Sequence, residues 1–466
     1  VNLSRVVEQW ARHAPSRIAL HFEGKDWTYG ALWQRIGQVA QSLEVAKGDR
    51  IAWLGFNHPD MLVLLFAAAR RGALLVPLNW RLTAAEHRGV LEDCRPRWMF
   101  ADADFADAAR ALGVPMGRLD VPAGIDTVGS DEDDLLIVYT SGTTGRPKGA
   151  VLPQSALLWN GYNAIHAQDL GQADHVLSVL PLFHVGGLNN QTVPALLAGA
   201  TVTLHKRFEP GHWLGDVQAR RPSLSLLVPA TMQAVIAHPG WARADLSSLK
   251  LLMTGSMVVP ESLIHAFHER GVPVGQIYGS TETSPIALVL TRDSAQRKVG
   301  STGKPAAHCE VKLVRGQICV RGPNVMRLYW NDPVATAGVL DAEGWFHSGD
   351  LARVDDDGDY WIMGRSKDVI ISGGENIYPA ELEGVLAECP AIAESAVVGV
   401  ADAKWGEAAC AVVVRRPGAV LDEAAVLALF KDRLARYKHP RRVVFADALP
   451  KNALGKVQKH ELKKRL

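Results

Sequence analysis

Residues 139–149 read Tyr-Thr-Ser-Gly-Thr-Thr-Gly-Arg-Pro-Lys-Gly. Hydroxyls from Thr140, Ser141, Thr143 and Thr144 crowd around Gly142 and Gly145, and Lys148 closes the run. Glycine lets a backbone bend and bring its N–H groups close to a ligand. Successive free N–H groups form a concave anion site. The hydroxyls add donors and the lysine a point charge. This combination suits a polyphosphate. A Walker loop, G-x-x-x-x-G-K-[ST], would serve the same purpose, but the pattern differs. Arg146 and Pro147 separate Gly145 from Lys148, and Gly149 stands where a magnesium-holding hydroxyl belongs. An ordinary polar turn does not require this density of donors.

Four further patterns follow in order: Tyr278-Gly-Ser-Thr-Glu-Thr283, Gly344-Trp-Phe-His-Ser-Gly-Asp350, Lys367-Asp-Val-Ile-Ile-Ser-Gly-Gly-Glu-Asn-Ile-Tyr-Pro379 and Pro450-Lys-Asn-Ala-Leu-Gly-Lys456. With the first, they closely resemble the motifs of the adenylate-forming enzymes: acyl-CoA synthetases, aryl-CoA ligases, luciferases and peptide-synthetase adenylation domains. The resemblance spans nearly the whole chain. One departure is Ser348, where relatives carry threonine; it keeps the hydroxyl.

The resemblance implies an AMP-forming acid:CoA ligase. The acid's carboxylate attacks the α-phosphate of MgATP, pyrophosphate leaves, and the thiol of coenzyme A takes the acyl group and releases AMP. Thr140, Ser141, Gly142, Thr143, Thr144, Gly145 and Lys148 are then the phosphate loop. Gly255 and Ser256 offer backbone contacts to adenine, Tyr278 stacks on it after the Gly279 turn, and Thr281 meets the α-phosphate. Glu282 holds Mg²⁺, which takes one or two carboxylates together with phosphate oxygens and water. Asp350 accepts from the ribose hydroxyls, and Arg365 reaches ribose and phosphate. Lys456 is the catalytic cation of adenylation and Lys367 the hinge. Gly373 and Gly374 border the pantetheine arm, and Trp405, Tyr437 and Lys438 the nucleotide of coenzyme A. His184 borders the acid's carboxylate, with Val185 and Ile277 in the acid pocket. The alternatives are a luciferase-like oxygenase and an enzyme loading a separate carrier protein.

Each residue has a plainer reading. A single histidine on an apolar stretch is usually a satisfied core residue. A lone Asp or Arg usually ends in a surface ion pair, and Lys456 stands in a basic tail. Met253 and Met257 read equally well as core. Asn189, Asn190 and Gln191 either face the acid and bind a ring hydroxyl or start a helix. The acid is expected to be an apolar monocarboxylate, aliphatic or aryl. No acidic residue follows His184 to hold an ammonium, and Ile277 stands where dicarboxylate-binding relatives carry arginine. A second carboxylate buried there without a partner would be costly.

The elements that must position these residues alternate. Strands at Arg50–Leu54, Ala73–Pro77 and Trp98–Ala101 are separated by helices. Leu135–Val138 leads into the phosphate loop, and Leu251–Thr254 and Val274–Tyr278 lead into two other motifs. This rhythm predicts an α/β fold of parallel sheets covered on both faces. Short strands from about Glu310 to Trp361 predict a β-rich subdomain. Pro379–Cys389 and Glu423–Arg436 as helices, with strands at Ala393–Val400 and Ala408–Val414, predict a small mobile α+β lid. The expected domains are 1–365 and 366–466. At 466 residues more than one domain is expected. The formal net charge of +1 argues against nucleic acid or an anionic membrane as the main partner. Five isolated cysteines form no C-x-x-C pair, so neither a disulfide framework nor a zinc site is indicated. A cytoplasmic monomer or homodimer without secretory signal or membrane span is expected.

Overall fold

The computed structural model describes residues 2–119, 132–140, 147–451 and 456–466. It forms two compact units. One comprises Val1–Val259, Leu263–Lys312 and Cys319–His347; the other comprises Pro260–Ser262, Leu313–Ile318 and Ser348–Leu466.

The larger unit holds two sheets. In the nine-stranded sheet the order is Lys304–Pro305, Ile286–Leu290, Val274–Gly279, Leu251–Gly255, Leu224–Leu226, His175–Ser178, Thr201–Leu204, Ile18–Phe22 and Lys25–Thr28. Neighbours from Val274–Gly279 to Ile18–Phe22 run parallel. The six-stranded sheet runs Leu328–Tyr329, Lys148–Pro153, Asp134–Thr140, Leu74–Leu78, Arg50–Leu54 and Trp98–Ala101. Parallel strands need cover on both faces. Accordingly, every residue of Leu74–Leu78 and of Leu251–Gly255 is buried.

The helices begin and end where the residue types require. Thr28 caps Tyr29–Ser42 by accepting from the Ala31 N–H at 3.1 Å. Thr83 and Glu86 form a capping box on Ala84–Cys94. Pro59–Arg71 is apolar on all sides and buried almost throughout, and it ends at Gly72 in the left-handed conformation. Among the described residues no helix is long and apolar enough to cross a membrane.

A third sheet has the order Glu310–Val314, Gln317–Arg321, Phe346–Val354, Tyr360–Arg365. Arg315 and Gly316, both at positive φ, join its first two strands, a two-residue turn whose twist matches that of the strands. In the smaller unit, Ile392–Asp402 and Gly406–Arg415 form a long antiparallel pair against which Pro379–Ala387 packs. Its own core includes Ile370, Leu382, Val397, Ala411 and Phe430. The helix expected over Glu423–Arg436 ends at Ala428. Asp432 is left-handed, at φ 62°, which a continuing right-handed helix excludes.

Candidate active site

The phosphate-loop signature joins two antiparallel strands. Asp134–Thr140 pairs with Lys148–Pro153, placing Tyr139 opposite Gly149 and Thr140 opposite Lys148. Ser141, Gly142, Thr143, Thr144 and Gly145 lie outside the described residues. A β-carbon on Gly149 would sit 2.6 Å from Ile137 Cγ2, so this approach requires glycine. The Tyr139 phenol donates to Asp93. Burial pushes the phenol above its ordinary range and keeps it a neutral donor.

Gly255 and Tyr278 stand at the carboxyl ends of neighbouring parallel strands, with Gly255 beside Ile277. Ligands of open α/β sheets bind at such strand ends. A β-carbon on Gly255 would meet the Ile277 carbonyl oxygen at 2.4 Å, and one on Gly279 would meet that of Pro285 at 1.6 Å. Ser256 is exposed, with φ 73°. Met253 is core, whereas Met257 is half exposed. The core reading of Met257 fails because it lies past the strand end, beyond the sheet's cover. Thr281–Thr283 makes one tight turn in which Thr281 is buried and Glu282 partly so.

That turn is held by side chains distant in sequence. Asn324 Nδ2 donates to the carbonyls of Thr283 at 2.7 Å and Ile286 at 2.9 Å. Asn189 Nδ2 donates to the Ser284 carbonyl at 2.5 Å. Asn160 accepts from the Ile286 N–H at 2.9 Å and donates to the Asn189 carbonyl at 2.6 Å. The Met326 N–H reaches the Glu282 carbonyl at 2.7 Å. Tyr329 donates its hydroxyl to Glu282 Oε1 at 2.6 Å, and its ring lies under the Lys148 ammonium, 5.3 Å from the centroid. Sequence reasoning missed Asn160, Asn324 and Tyr329. The only local signal was the turn-rich Gly322-Pro-Asn324 run just before Tyr329.

His184 lies in the loop after His175–Ser178. The Gly186 N–H donates to its Nδ1 at 3.0 Å. Nδ1 is therefore the acceptor, and a neutral ring carries its proton on Nε2. Val185 and Ile277 are buried. Asn189, Asn190 and Gln191 do start a helix, forming the wide turn Leu188–Thr192 that leads into Val193–Ala198. Their amide nitrogens are bonded to Ser284, Gly186 and Gln168. Their amide oxygens are buried and have no hydrogen-bond partner among the described residues. Asn57, also missed, pins the loop before His184. It accepts from the Leu182 N–H at 2.8 Å and donates to the Leu180 and His205 carbonyls at 3.0 Å each.

In the smaller unit Asp350 and Arg365 stand opposite one another on antiparallel strands and form an ion pair at 3.1 Å. The Ser348 hydroxyl donates to the Ile318 carbonyl at 2.8 Å and accepts from the Asp350 N–H at 3.1 Å, so serine does what the motif's hydroxyl needs to do here. Lys367 lies in the single turn Ser366–Asp368. Gly373 and Gly374, at φ 60° and 88°, form a two-residue hairpin turn. The Trp405 ring packs against it; a β-carbon on Gly373 would lie 2.5 Å from that ring. Arg441 and Lys404 place their charges 4.8 and 4.9 Å from the Trp405 ring. Arg441 was missed in the sequence, while Lys438 is bound bidentately by Glu381, at 3.0 and 2.7 Å. Tyr437 is exposed. Lys456 is exposed, and Lys451 and Lys459 of the same tail pair with Glu394 and Glu383.

Residues 7–330 match the family model of the AMP-binding enzymes, and residues 381–456 match that of the AMP-binding enzyme C-terminal domain. The chain belongs to this adenylate-forming family. It is 47% identical to an indoleacetate–CoA ligase of Aromatoleum aromaticum, over 99% of this chain and 98% of the relative. It is 42% identical to a feruloyl-CoA synthase of an Amycolatopsis species, over 98% and 97%. The O-succinylbenzoate coenzyme A synthetase of Bacillus subtilis, solved with ATP and magnesium, superposes with a TM-score of 0.90. It is 31% identical, with 98% of this chain and 99% of that one covered. The protein is an AMP-forming acid:CoA ligase whose substrates are a carboxylic acid, ATP with Mg²⁺, and coenzyme A. A single carboxylate at Glu282, beside the phosphate-loop strand, suits a cation that takes its other ligands from phosphate and water.

The Asn57 contacts generate a prediction for this adenylate-forming enzyme. Asn57→Ala leaves a buried N–H and two carbonyls unpaired, which costs about 1–3 kcal/mol. Chemical denaturation should show that loss, and the KM for the acid should rise more than the KM for ATP. Unchanged stability would refute the assignment.

Proposed function

We propose that the ligase activates an aromatic monocarboxylic acid bearing an N–H or O–H group on or near its ring. The observation that carries this reading is the buried turn Leu188–Thr192, beside His184. Val185 and Leu188 are apolar and buried there, as are Met232 and Ile277 of the same core, yet Asn189, Asn190 and Gln191 keep unpartnered amide oxygens. A buried acceptor without a donor is costly, and a donor on the substrate relieves it. The named activities of the two relatives above concern acids of this kind, one with an indole N–H and one with a phenolic O–H. A site built around such a bond rejects an analogue that lacks it.

On this reading the acid's carboxylate is held by the Nε2–H of His184. Its oxygen attacks the α-phosphorus, and the bond from α-phosphorus to the bridging oxygen breaks, releasing pyrophosphate. Thr281 and Lys456 stabilise the charge that gathers on the transferring group, an electrostatic contribution. Glu282 would hold magnesium, which would supply positive charge against the phosphates. Lys148 and the phosphate loop grip the β- and γ-phosphates, Gly255, Ser256 and Tyr278 hold adenine, and Asp350 and Arg365 the ribose. The thiol sulfur then attacks the acyl carbon, AMP departs, and the thiol proton goes to solvent. Gly373, Gly374, Trp405 and Tyr437 receive coenzyme A, with Lys438 at the rim. The domains of this mechanism are 1–365 and 366–466, turning about Lys367. Five free cysteines fit a reducing, cytoplasmic setting.

Three experiments test this. ATP–pyrophosphate exchange across indole-3-acetate, hydroxycinnamates, benzoates, fatty acids, dicarboxylates and amino acids should give the highest kcat/KM to a donor-bearing aryl acid. Its isostere, such as benzothiophene-3-acetate, should be poorer by about tenfold or more, the worth of one hydrogen bond to a buried group. A fatty acid or the isostere at the top would sink the reading. Lys456→Ala should slow adenylation by about 10²–10³ while still converting supplied acyl-AMP and coenzyme A to thioester; equal loss in both steps counts against it. Proline at 367 fixes φ, so Lys367→Pro should retain near-normal exchange with strongly impaired thioester formation. A variant with both steps intact removes the hinge role.

A further inference from the structure

Tyr329 appears in none of the five motifs, yet it touches residues of two. It is one of two residues in the short strand Leu328–Tyr329, which pairs with Lys148–Pro153 so that Tyr329 stands opposite Ala150. Its N–H donates to the Thr336 hydroxyl at 2.9 Å, and the side chain is buried. The ring is therefore fixed from the backbone outward. The hydroxyl donates to Glu282 Oε1 at 2.6 Å, the length of a charge-assisted O–H···O⁻ bond. The Lys148 ammonium sits 5.3 Å from the ring centroid, within cation–π range. A buried tyrosine hydroxyl usually finds some acceptor. Here the acceptor is the motif's single carboxylate, and the ring also carries the phosphate-loop lysine.

We propose that Tyr329 is a positioning residue for magnesium: its hydroxyl holds Oε1 of Glu282 so that Oε2 is presented to the cation, while its ring holds Lys148 beside the same phosphates. This rests on the reading of Glu282 as the metal's carboxylate. A carboxylate on a short turn can rotate about its side-chain bonds, and a hydrogen bond to one oxygen selects the orientation of the other. Such outer partners typically matter 10- to 100-fold in metal affinity. Glu282 is fixed independently at its backbone, where the Met326 N–H takes its carbonyl at 2.7 Å. Loss of the phenol hydroxyl therefore frees the carboxylate without moving the turn.

The test uses the full chain and four proteins: wild type, Tyr329→Phe, Tyr329→Leu and Glu282→Gln. Mn²⁺ binding in the presence of a non-hydrolysable ATP analogue is followed by electron paramagnetic resonance, and the Mg²⁺ dependence of ATP–pyrophosphate exchange is measured alongside. Tyr329→Phe keeps the ring and should weaken Mn²⁺ binding by about 10- to 100-fold. Its exchange rate should be recovered by raising Mg²⁺, with the KM for the acid unmoved. Tyr329→Leu also removes the ring face under Lys148 and should raise the KM for ATP even at saturating Mg²⁺. Rates lowered equally at every Mg²⁺ concentration, with Mn²⁺ affinity intact, would mean a merely structural tyrosine and overturn the proposal. If Glu282→Gln leaves Mn²⁺ affinity unchanged, the metal assignment beneath it fails. If Glu282→Gln weakens binding and Tyr329→Phe does not, the Tyr329 inference alone falls.

Discussion

The turn from Tyr278 to Pro285 leaves the strand Val274–Gly279 and is half buried, yet it belongs to no regular element long enough to satisfy it. Its polar backbone must find partners or bear the cost of burial. Asn324 and Asn189 take two of its carbonyls, Asn160 and Asn324 hold Ile286 just beyond it, and all three asparagines are fully buried. Each amide can donate and accept at once. Asn160 uses both ends, joining Ile286 to Asn189. The turn that carries Thr281 and Glu282 is thereby tied to the turn that follows His184. The His184 loop and the Thr281–Glu282 turn of the larger unit share one hydrogen-bonded frame.

Glycine makes that frame possible by letting backbone approach backbone. At Gly255, Gly279 and Gly187 an added β-carbon would meet a carbonyl oxygen at 2.4, 1.6 and 2.2 Å. The first two bring neighbouring strand ends together beside Tyr278, and the third folds the His184 loop back onto Pro181. Contacts this short cannot be relieved by rotating a side chain, because the obstructing atom is main chain. These glycines act through packing, whereas Gly373 and Gly374 act through positive φ in a two-residue turn.

This difference explains what could be read from the sequence. Strand and helix positions were legible because parallel sheets write themselves as apolar runs of five or six residues, as at Leu74–Leu78 and Leu251–Gly255. The candidate phosphate loop was legible because hydroxyls, glycine and lysine at that spacing answer to phosphate chemistry, and the other candidate ligand-facing residues came from the resemblance of their motifs to the adenylate-forming enzymes. The supporting residues were not. Asn324 acts on residues about forty positions earlier and Asn57 on one 125 positions later, and an isolated asparagine has no pattern. Tyr329 lies in none of the motifs. Glu423–Arg436 has helical composition, but the helix stops at Ala428 and the left-handed Asp432 bars its resumption, where propensity alone gives no warning.

The amide oxygens of Asn189, Asn190 and Gln191 sharpen the question of what this site was shaped to hold. An unsatisfied buried acceptor costs about 1–3 kcal/mol, and a whole domain is stable by only about 5–15 kcal/mol. Three in successive positions are expensive if they serve the fold alone. The amide nitrogens do serve it, through Ser284, Gly186 and Gln168. A serine or threonine could supply a donor with less buried polar surface. What an amide adds is a carbonyl-type acceptor held rigid by its own nitrogen's bond. On the proposed reading, rigid acceptors beside the buried Val185 and Leu188 would discriminate between substrates by whether they bring a donor, because a ligand without one leaves the cost in place. Water could meet the same need in the empty site, but a flat apolar ring that displaces it must carry a donor to replace it. The apolar lining and the orphaned oxygens are therefore two halves of one requirement. On the proposed reading the first would select an aromatic body, and the second the polar hydrogen on it.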